Sequence, residues 1–342
     1  TTNAGISLNW TIFEGFNVST NYKKLKELER MGETNTRIAI EDFIADMAAE
    51  YYNFIQQRLR LINYYNAVKL SKERLRIVEE RYNIGNFSRL DYQQAKVDFN
   101  ADSAQFMKQQ EVVITSRIAL NEMMAIDQVY TIIDTEEKDI AINDSLDFAD
   151  LWNSTLGNNA TLLLAAQNNT LAQLDYKKVL SRNYPYVKFR AGYDYGFNKY
   201  GNNTMIRRNA WGGNAGISIG FNLWDGNRRR EMRNAKIEME NVKLMHDQLE
   251  LSLKANLGNF WHAYQNNLQL LELEKTNVIT ARENHEIAKE RYMLGDLSGI
   301  EMREAQKSLL DAEERILVVE YNTKLCEISL LQLSGDIMVY LE

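Results

Sequence analysis

Two stretches of the chain repeat the same junctions at a nearly constant interval. Gly5-Ile6-Ser7-Leu8-Asn9-Trp10-Thr11-Ile12-Phe13-Glu14-Gly15 recurs as Gly216-Ile217-Ser218-Ile219-Gly220-Phe221-Asn222-Leu223-Trp224-Asp225-Gly226. Glu80-Arg81-Tyr82-Asn83-Ile84-Gly85-Asn86-Phe87-Ser88 recurs as Glu290-Arg291-Tyr292-Met293-Leu294-Gly295-Asp296-Leu297-Ser298. The first pair is offset by 211 positions and the second by 210, so the halves stay in step. A chain that builds one unit twice wraps something with rotational symmetry, which predicts a tube rather than a catalytic cleft.

Composition narrows the class. The chain has 342 residues, 45% of them apolar, and a single proline, which favours long uninterrupted elements. A net charge of −7 argues against nucleic acid as a partner, since phosphate contacts need clustered Lys and Arg. No run of about 18 apolar residues occurs, so a β-barrel is the only route left across a bilayer. One cysteine, Cys326, rules out an internal disulfide framework.

Three segments alternate strictly. Ala4, Ile6, Leu8, Trp10 and Ile12 oppose Asn3, Gly5, Ser7, Asn9 and Thr11. Val187, Phe189, Ala191, Tyr193, Tyr195 and Phe197 oppose Lys188, Arg190, Gly192, Asp194 and Gly196. Ala215, Ile217, Ile219, Phe221 and Leu223 oppose Asn214, Gly216, Ser218, Gly220 and Asn222. Period two with aromatic and aliphatic residues on one side is the outer-membrane strand pattern, although a sheet with one face on a soluble core alternates in the same way.

Asn17–Ile84 and Asn227–Leu294 each read as a helix of 68 residues without proline, weakened only at Gly32 and Gly258. At ~1.5 Å per residue each would extend about 100 Å, beyond what a globular core needs. Heptad-like stripes run through Leu61, Tyr65, Val68, Leu75, Val78 and Tyr82, and through Leu271, Lys275, Val278, His285, Ala288 and Tyr292. The return helices carry Phe99, Phe106, Val113 and Leu120, or Leu309, Ala312, Ile316, Val319, Thr323, Cys326, Leu330 and Leu333. This spacing predicts coiled-coil packing, which a soluble coiled-coil scaffold would satisfy as well.

The expected organisation is a strand over 1–14 and a helical hairpin over 15–124 with its tip at 85–88. An acidic connector follows over 125–156, rich in Asp127, Asp134, Glu136, Glu137, Asp139, Asp144, Asp147 and Asp150, then a helix over 157–183. A strand pair over 184–224 holds an external loop at 198–211; the second hairpin covers 225–333 with its tip at 295–298, and the tail is 334–342. The residues ahead of the second repeat's strand have no counterpart before Thr1, so the chain reads as lacking a matching helix, strand and loop there.

Gly85 and Gly295 are read as left-handed helix ends, followed by Ser88 and Ser298 as N-caps. His246, His262 and His285 are widely spaced and read as structural, and Cys326 as a small buried residue on the packing stripe. No phosphate loop, nucleophile triad or metal-ligand spacing occurs, so catalytic residues, metal and cofactor are all read as none and the chain as a non-enzyme.

Strand, long helix, Tyr-x-x-Gly-x-x-Ser turn, return helix, connector, helix, strand, loop, strand, and the same again: this order resembles the TolC-type outer-membrane efflux proteins. The likeness rests on Arg81-Tyr82-Asn83-Ile84-Gly85-Asn86-Phe87-Ser88-Arg89-Leu90-Asp91 and Arg291-Tyr292-Met293-Leu294-Gly295-Asp296-Leu297-Ser298-Gly299-Ile300-Glu301. Tyr184-Pro185, Phe13-Glu14-Gly15 and Trp224-Asp225-Gly226 add to it. The resemblance implies a mainly helical fold with a β part and two internal repeats: an α-barrel tunnel continued by a trimeric 12-stranded transmembrane β-barrel. It implies a homotrimer in the Gram-negative outer membrane, in contact with its lipid, with helices in the periplasm, exporting solutes together with a periplasmic adaptor and an inner-membrane pump.

By the same resemblance Gly85, Asn86, Phe87, Ser88, Gly295, Asp296, Leu297 and Ser298 form adaptor-docking tips. The basic residue common two positions after the family's glycine is here Phe87 or Leu297, which implies an apolar contact. Glu301 and Glu304, with Asp91 and Gln94 as first-repeat equivalents, match an acidic constriction whose stacked carboxylates would raise one another's pKa. Tyr292 would bond across to Asp91 and hold the tip shut. The residues alone allow a plainer role for Glu301 and Glu304, as acids at the positive end of a helix.

Overall fold

The computed structural model describes residues 2–132, 135, 139–199 and 207–341. Its elements, in chain order, are β1 (Thr2–Glu14), α1 (Asn17–Asn83), α2 (Arg89–Met123), α3 (Phe148–Asn158), α4 (Ala160–Ser181), β2 (Tyr186–Lys199), β3 (Arg207–Gly220), α5 (Gly226–Leu294) and α6 (Gly299–Ser334), then a 3₁₀ turn, Ile337–Leu341. At 67 and 69 residues, α1 and α5 pass through Gly32 and Gly258 without a break, because only proline would remove a backbone donor and clash with the preceding turn. Among the described residues no helix is long and apolar enough to cross a membrane. The chain divides into two compact units, residues 1–37 with 160–252 and residues 38–159 with 253–342.

The first unit holds an antiparallel sheet in the order β1-β2-β3. The register runs from Thr2↔Phe197 to Glu14↔Tyr186 on one side and from Tyr186↔Gly220 to Lys199↔Arg207 on the other. It shifts between Thr11 and Phe13, so Ile12 is the bulged residue and Phe13, not Ile12, pairs with Val187. The stretch 198–211, expected as loop, is strand at both ends: Asn198 pairs with Arg208, and the Tyr195 and Trp211 rings pack at 4.4 Å. That cross-strand aromatic pair extends the ladder past the Asn- and Gly-rich composition that had marked a loop. The remainder of that loop lies outside the described residues. In the same unit Lys24 bonds Asp175 at 2.5 Å, tying α1 to α4, and Arg182 pairs with Glu231 of α5.

In the second unit, side-chain ties give the helix directions. Arg74–Asp98, Gln57–Gln109 and Asn53–Ser116 run α1 against α2 in antiparallel sense. Gln56 to the Leu317 carbonyl (3.0 Å), Arg60–Glu314 (2.6 Å) and Gln306 to the Ala67 carbonyl (3.2 Å) do the same for α1 and α6. Arg282–Glu313 and Arg315–Glu274 join α5 to α6. With neighbours on two sides, α6 buries Leu309, Ala312, Val319, Thr323 and Leu330 of its expected stripe, while Cys326 is only half-buried beside Asn267.

The α1 stripe differs from the expected one. Tyr65 and Tyr82 are exposed, and the buried positions past residue 60 are Ala67, Ser71, Arg74 and Val78. Small residues at the seam let α6 come close enough for Gln306 to reach a backbone carbonyl, and the tyrosines rest at the rim, Tyr65 on Phe106 and Tyr82 stacked on Tyr92. In α2 the buried heptad positions are Ala95, Asp102, Gln109 and Ser116, with Phe99, Phe106 and Val113 half-buried beside them.

The connector is fastened by polar groups. Asn121 donates to the carbonyls of Val129 and Thr131 (2.7 and 2.9 Å), and Asp147 caps α3 by accepting from Ala149 N at 2.8 Å. Tyr264 donates to the Asn143 carbonyl, and Glu327 accepts from Asn143 N at 3.0 Å. Asp134, Glu136 and Glu137 lie outside the described residues. The expected helix over 157–183 is interrupted at Asn159, whose extended backbone separates α3 from α4. Its side chain instead donates to the Leu333 carbonyl at 3.0 Å.

Candidate functional site

The two hairpin tips of the second unit share one construction. Gly85 and Gly295 sit at φ 84° and 91°, a region that L side chains rarely adopt. Each N–H turns back on the helix it ends: Gly85 N to Tyr82 O (2.9 Å) with Asn86 N to Arg81 O (2.8 Å), and Gly295 N to Tyr292 O (3.2 Å) with Asp296 N to Arg291 O (2.9 Å). This double closure satisfies the last carbonyls of α1 and α5. Ser88 and Ser298 then cap the return helices. Asp91 N donates to the Ser88 hydroxyl, and the Asp91 carboxylate accepts from Ser88 N and Oγ at 3.1 and 2.7 Å. Glu301 does the same for Ser298, at 3.0 and 2.7 Å.

This box assigns Asp91 and Glu301 a local role. The hydrogen bond from the Ser298 side chain, followed by that from its backbone, holds the Glu301 carboxyl below the ordinary glutamate value. Glu301 and Glu304 line one groove between α5 and α6, with Arg291 and Asn284. Gln94 bonds Asp98 at 3.0 Å.

Tyr292 is 2% exposed and packs with Val78, Ala95, Met302 and Ala305. The expected bond to Asp91 does not form: among the described residues its hydroxyl has no hydrogen-bond partner. Asp91 is occupied by Ser88, and Tyr292 lines a small cavity together with Arg74, Asp91, Gln94 and Asp98. Burial raises the Tyr292 pKa. What joins the tips is Arg81, which donates to the carbonyls of Tyr292 (3.4 Å) and Met293 (2.7 Å) and lies 5.4 Å from the Phe87 ring and 5.8 Å from the Tyr292 ring. Phe87 stacks on Tyr292, and Leu297 packs against the same cluster, so these two side chains face inward. The most exposed apolar side chains at the tips are Ile84, Leu90, Leu294 and Ile300.

Above the tips lie two ion pairs, one largely buried and one with its arginine part-exposed. Arg74 reaches Asp98 at 2.6 Å, and Arg303 of α6 grips Asp102 of α2 with both terminal nitrogens, at 2.7 and 2.6 Å. Sequence reasoning missed Arg81, Asp98, Asp102 and Arg303. The only signal for Asp102 was its position seven residues after Ala95, which an apolar pattern search passes over.

The sheet of the first unit has two unlike faces. Ala4, Ile6, Leu8 and Trp10 share a side with Phe189, Ala191, Tyr193 and Tyr195 and with Ala215, Ile217 and Ile219, and Ile6 is 83% exposed. The other side carries Asn9, Arg190, Lys188, Asp194 and Ser218, with glycines between. A Cβ on Gly5 would meet the Asp194 carboxylate at 2.0 Å, so this polar side chain lies flat on its cross-strand glycine. Phe221, Asn222 and Leu223 fall beyond the end of β3, and their expected alternation does not continue the sheet.

The sequence model of the outer membrane efflux protein family matches residues 1–125 and 151–336. The chain belongs to this family. No curated protein matches it significantly. Solved structures share its fold. The outer membrane protein VceC of Vibrio cholerae is 15% identical with a TM-score of 0.81, covering 97% of this chain and 79% of its own. The Campylobacter jejuni CmeC outer membrane channel is 16% identical (TM-score 0.76, covering 98% and 71%). The Neisseria gonorrhoeae MtrE outer membrane channel, solved in its open state, is 13% identical (TM-score 0.74, covering 98% and 81%). These are TolC-like channels, as the tip motifs implied. Among the described residues no group of His, Cys, Asp and Glu could hold a metal ion. His246, His262 and His285 do not converge.

Proposed function

We propose that this outer membrane efflux family member is the passive outer-membrane duct of a tripartite efflux or type I secretion system. In this reading it exports small molecules or proteins and performs no chemistry. Three copies, each contributing two internal repeats, would close a 12-stranded barrel continued by a periplasmic helical tunnel. A periplasmic adaptor and an inner-membrane pump would supply docking and energy.

The observation that carries this reading is the sheet. Its aliphatic and aromatic face is exposed, and among the described residues β1 and β3 have no further strand partner. Inside lipid each unpaired backbone group costs several kcal/mol, so such a sheet needs further strands to close it. A soluble scaffold would leave the same face in water. At the tips, Ile84, Leu90, Leu294 and Ile300 are the apolar contacts we assign to the adaptor, around the frame of Gly85, Asn86, Phe87, Ser88, Gly295, Asp296, Leu297 and Ser298. Glu301, Glu304, Asp91 and Tyr292 are the residues we assign to the constriction, with Arg81 as the tie between tips.

Full-length protein added to planar lipid bilayers tests this. Stepwise ion-conducting insertions are expected, and Glu301→Gln/Glu304→Gln is expected to reduce their cation preference. Protein that stays in the aqueous phase without detergent and yields no steps would remove the reading.

A further inference from the structure

Ten residues follow β3 that neither the sheet nor the tips explain. Phe221-Asn222-Leu223-Trp224-Asp225-Gly226-Asn227-Arg228-Arg229-Arg230 lead from the last strand into α5. Leu223 is 87% exposed and Trp224 84%, so two large apolar side chains stand out from the chain where the strand ends. After Asp225, Gly226 and Asn227 come three arginines, Arg228, Arg229 and Arg230, with Arg233 a turn later. Asp225 caps the start of α5, accepting from Asn227 N and Arg228 N at 3.0 and 3.2 Å, and the first turn itself contains no acid. Arg228 is used within the fold. It donates to the carbonyls of Arg182 (3.0 Å) and Asn222 (3.3 Å), fixing the end of α4 beside the start of α5. Arg229, Arg230 and Arg233 are exposed, and among the described residues none of them makes an ion pair. Lys177 and Lys178 at the end of α4 are exposed as well.

We infer that Arg229, Arg230 and Arg233, beside Trp224 and Leu223, form a binding surface for the headgroups of anionic phospholipids at the helix-side face of the bilayer. The inference rests on the reading of the sheet as a membrane barrel. Charge complementarity selects the occupant. A protruding indole beside guanidiniums that make no ion pair among the described residues matches the headgroup level, where the ring sits among glycerol and upper acyl groups while Arg donates bidentately to phosphate. Each basic residue near an anionic bilayer surface gains about 1 kcal/mol, so a handful per protomer makes a retained lipid shell.

The test is native mass spectrometry of full-length protein released from nanodiscs of phosphatidylcholine with phosphatidylglycerol. The parent is expected to retain phosphatidylglycerol in preference to phosphatidylcholine. Arg229→Gln/Arg230→Gln should lower that retention about thirtyfold, while Lys96→Gln/Lys108→Gln, which removes two exposed charges from α2, leaves it unchanged. Equal retention by parent and arginine variant overturns the inference. So does equal retention of the two lipids, or complete displacement by millimolar inorganic phosphate, which would mark a free-phosphate site. A parent that does not enter nanodiscs removes the barrel reading itself, whereas a parent that enters without lipid preference removes this inference alone.

Discussion

Arg303 of α6 holds Asp102 of α2 through two parallel hydrogen bonds, at 2.7 and 2.6 Å, and this bidentate pair joins the second helical hairpin to the first. The Asp102 bonds raise the Arg303 pKa above its ordinary value, so the guanidinium stays charged. Asp102→Ala strands a partly buried guanidinium and is expected to cost about 3 kcal/mol in urea unfolding. Pairing it with Arg303→Leu should recover most of that loss. Additive effects in the double-mutant cycle would show that the two side chains do not act together.

Tyr292→Phe removes a buried hydroxyl that has no partner among the described residues. The expected change in stability is within about 0.5 kcal/mol, since no hydrogen bond is lost. Arg81→Ala should cost more, because it frees the α5 carbonyls and uncovers two rings. A large loss from Tyr292→Phe alone would point instead to a working Tyr292–Asp91 latch.

His285 is 1% exposed, and among the described residues neither ring nitrogen is hydrogen-bonded. Glu286 lies 3.6 Å away, and Lys289 and Glu313 also act on the ring. Burial holds its pKa below the ordinary histidine value. On acidification the unfolded chain therefore takes up this proton first, and stability falls as pH drops below about 6.5. Between about pH 7.5 and 5.5, the range around that value, the melting temperature of the parent should fall more steeply than that of His285→Leu. Parallel curves would assign the acid sensitivity to other groups.

The strand faces are testable by cysteine labelling in intact outer membranes. Ser7→Cys and Ser218→Cys lie on the polar face and are expected to react with an aqueous thiol reagent, whereas Ile6→Cys and Ile219→Cys are expected to stay protected. Equal reaction on both faces would contradict a lipid-facing side.

Much of this architecture is legible in the sequence because period and punctuation carry it. Alternation around Ile6, Phe189 and Ile217 assigns the faces, and the Gly85 and Gly295 turns with their serine caps are local chemistry. What pattern reading missed depends on neighbours. Asp102, Gln109 and Ser116 occupy a buried seam because Arg303, Gln57 and Glu50 bond them, and no apolar period reveals that. Phe87 and Leu297 look like exposed tip residues, yet they face inward where Tyr292 and its cluster offer a surface, leaving Ile84 and Leu294 outside. Tyr65 and Tyr82 repeat at helical spacing, but the close approach at Ala67 and Ser71 pushes them to the rim.

In the proposed assembly three copies of this chain form one membrane-spanning tube. Electron micrographs of full-length protein extracted from outer membranes test it most directly. Three-fold averages with a detergent belt around a β-barrel and a helical tube extending from it are expected. A compact monomer that is soluble without detergent would contradict it.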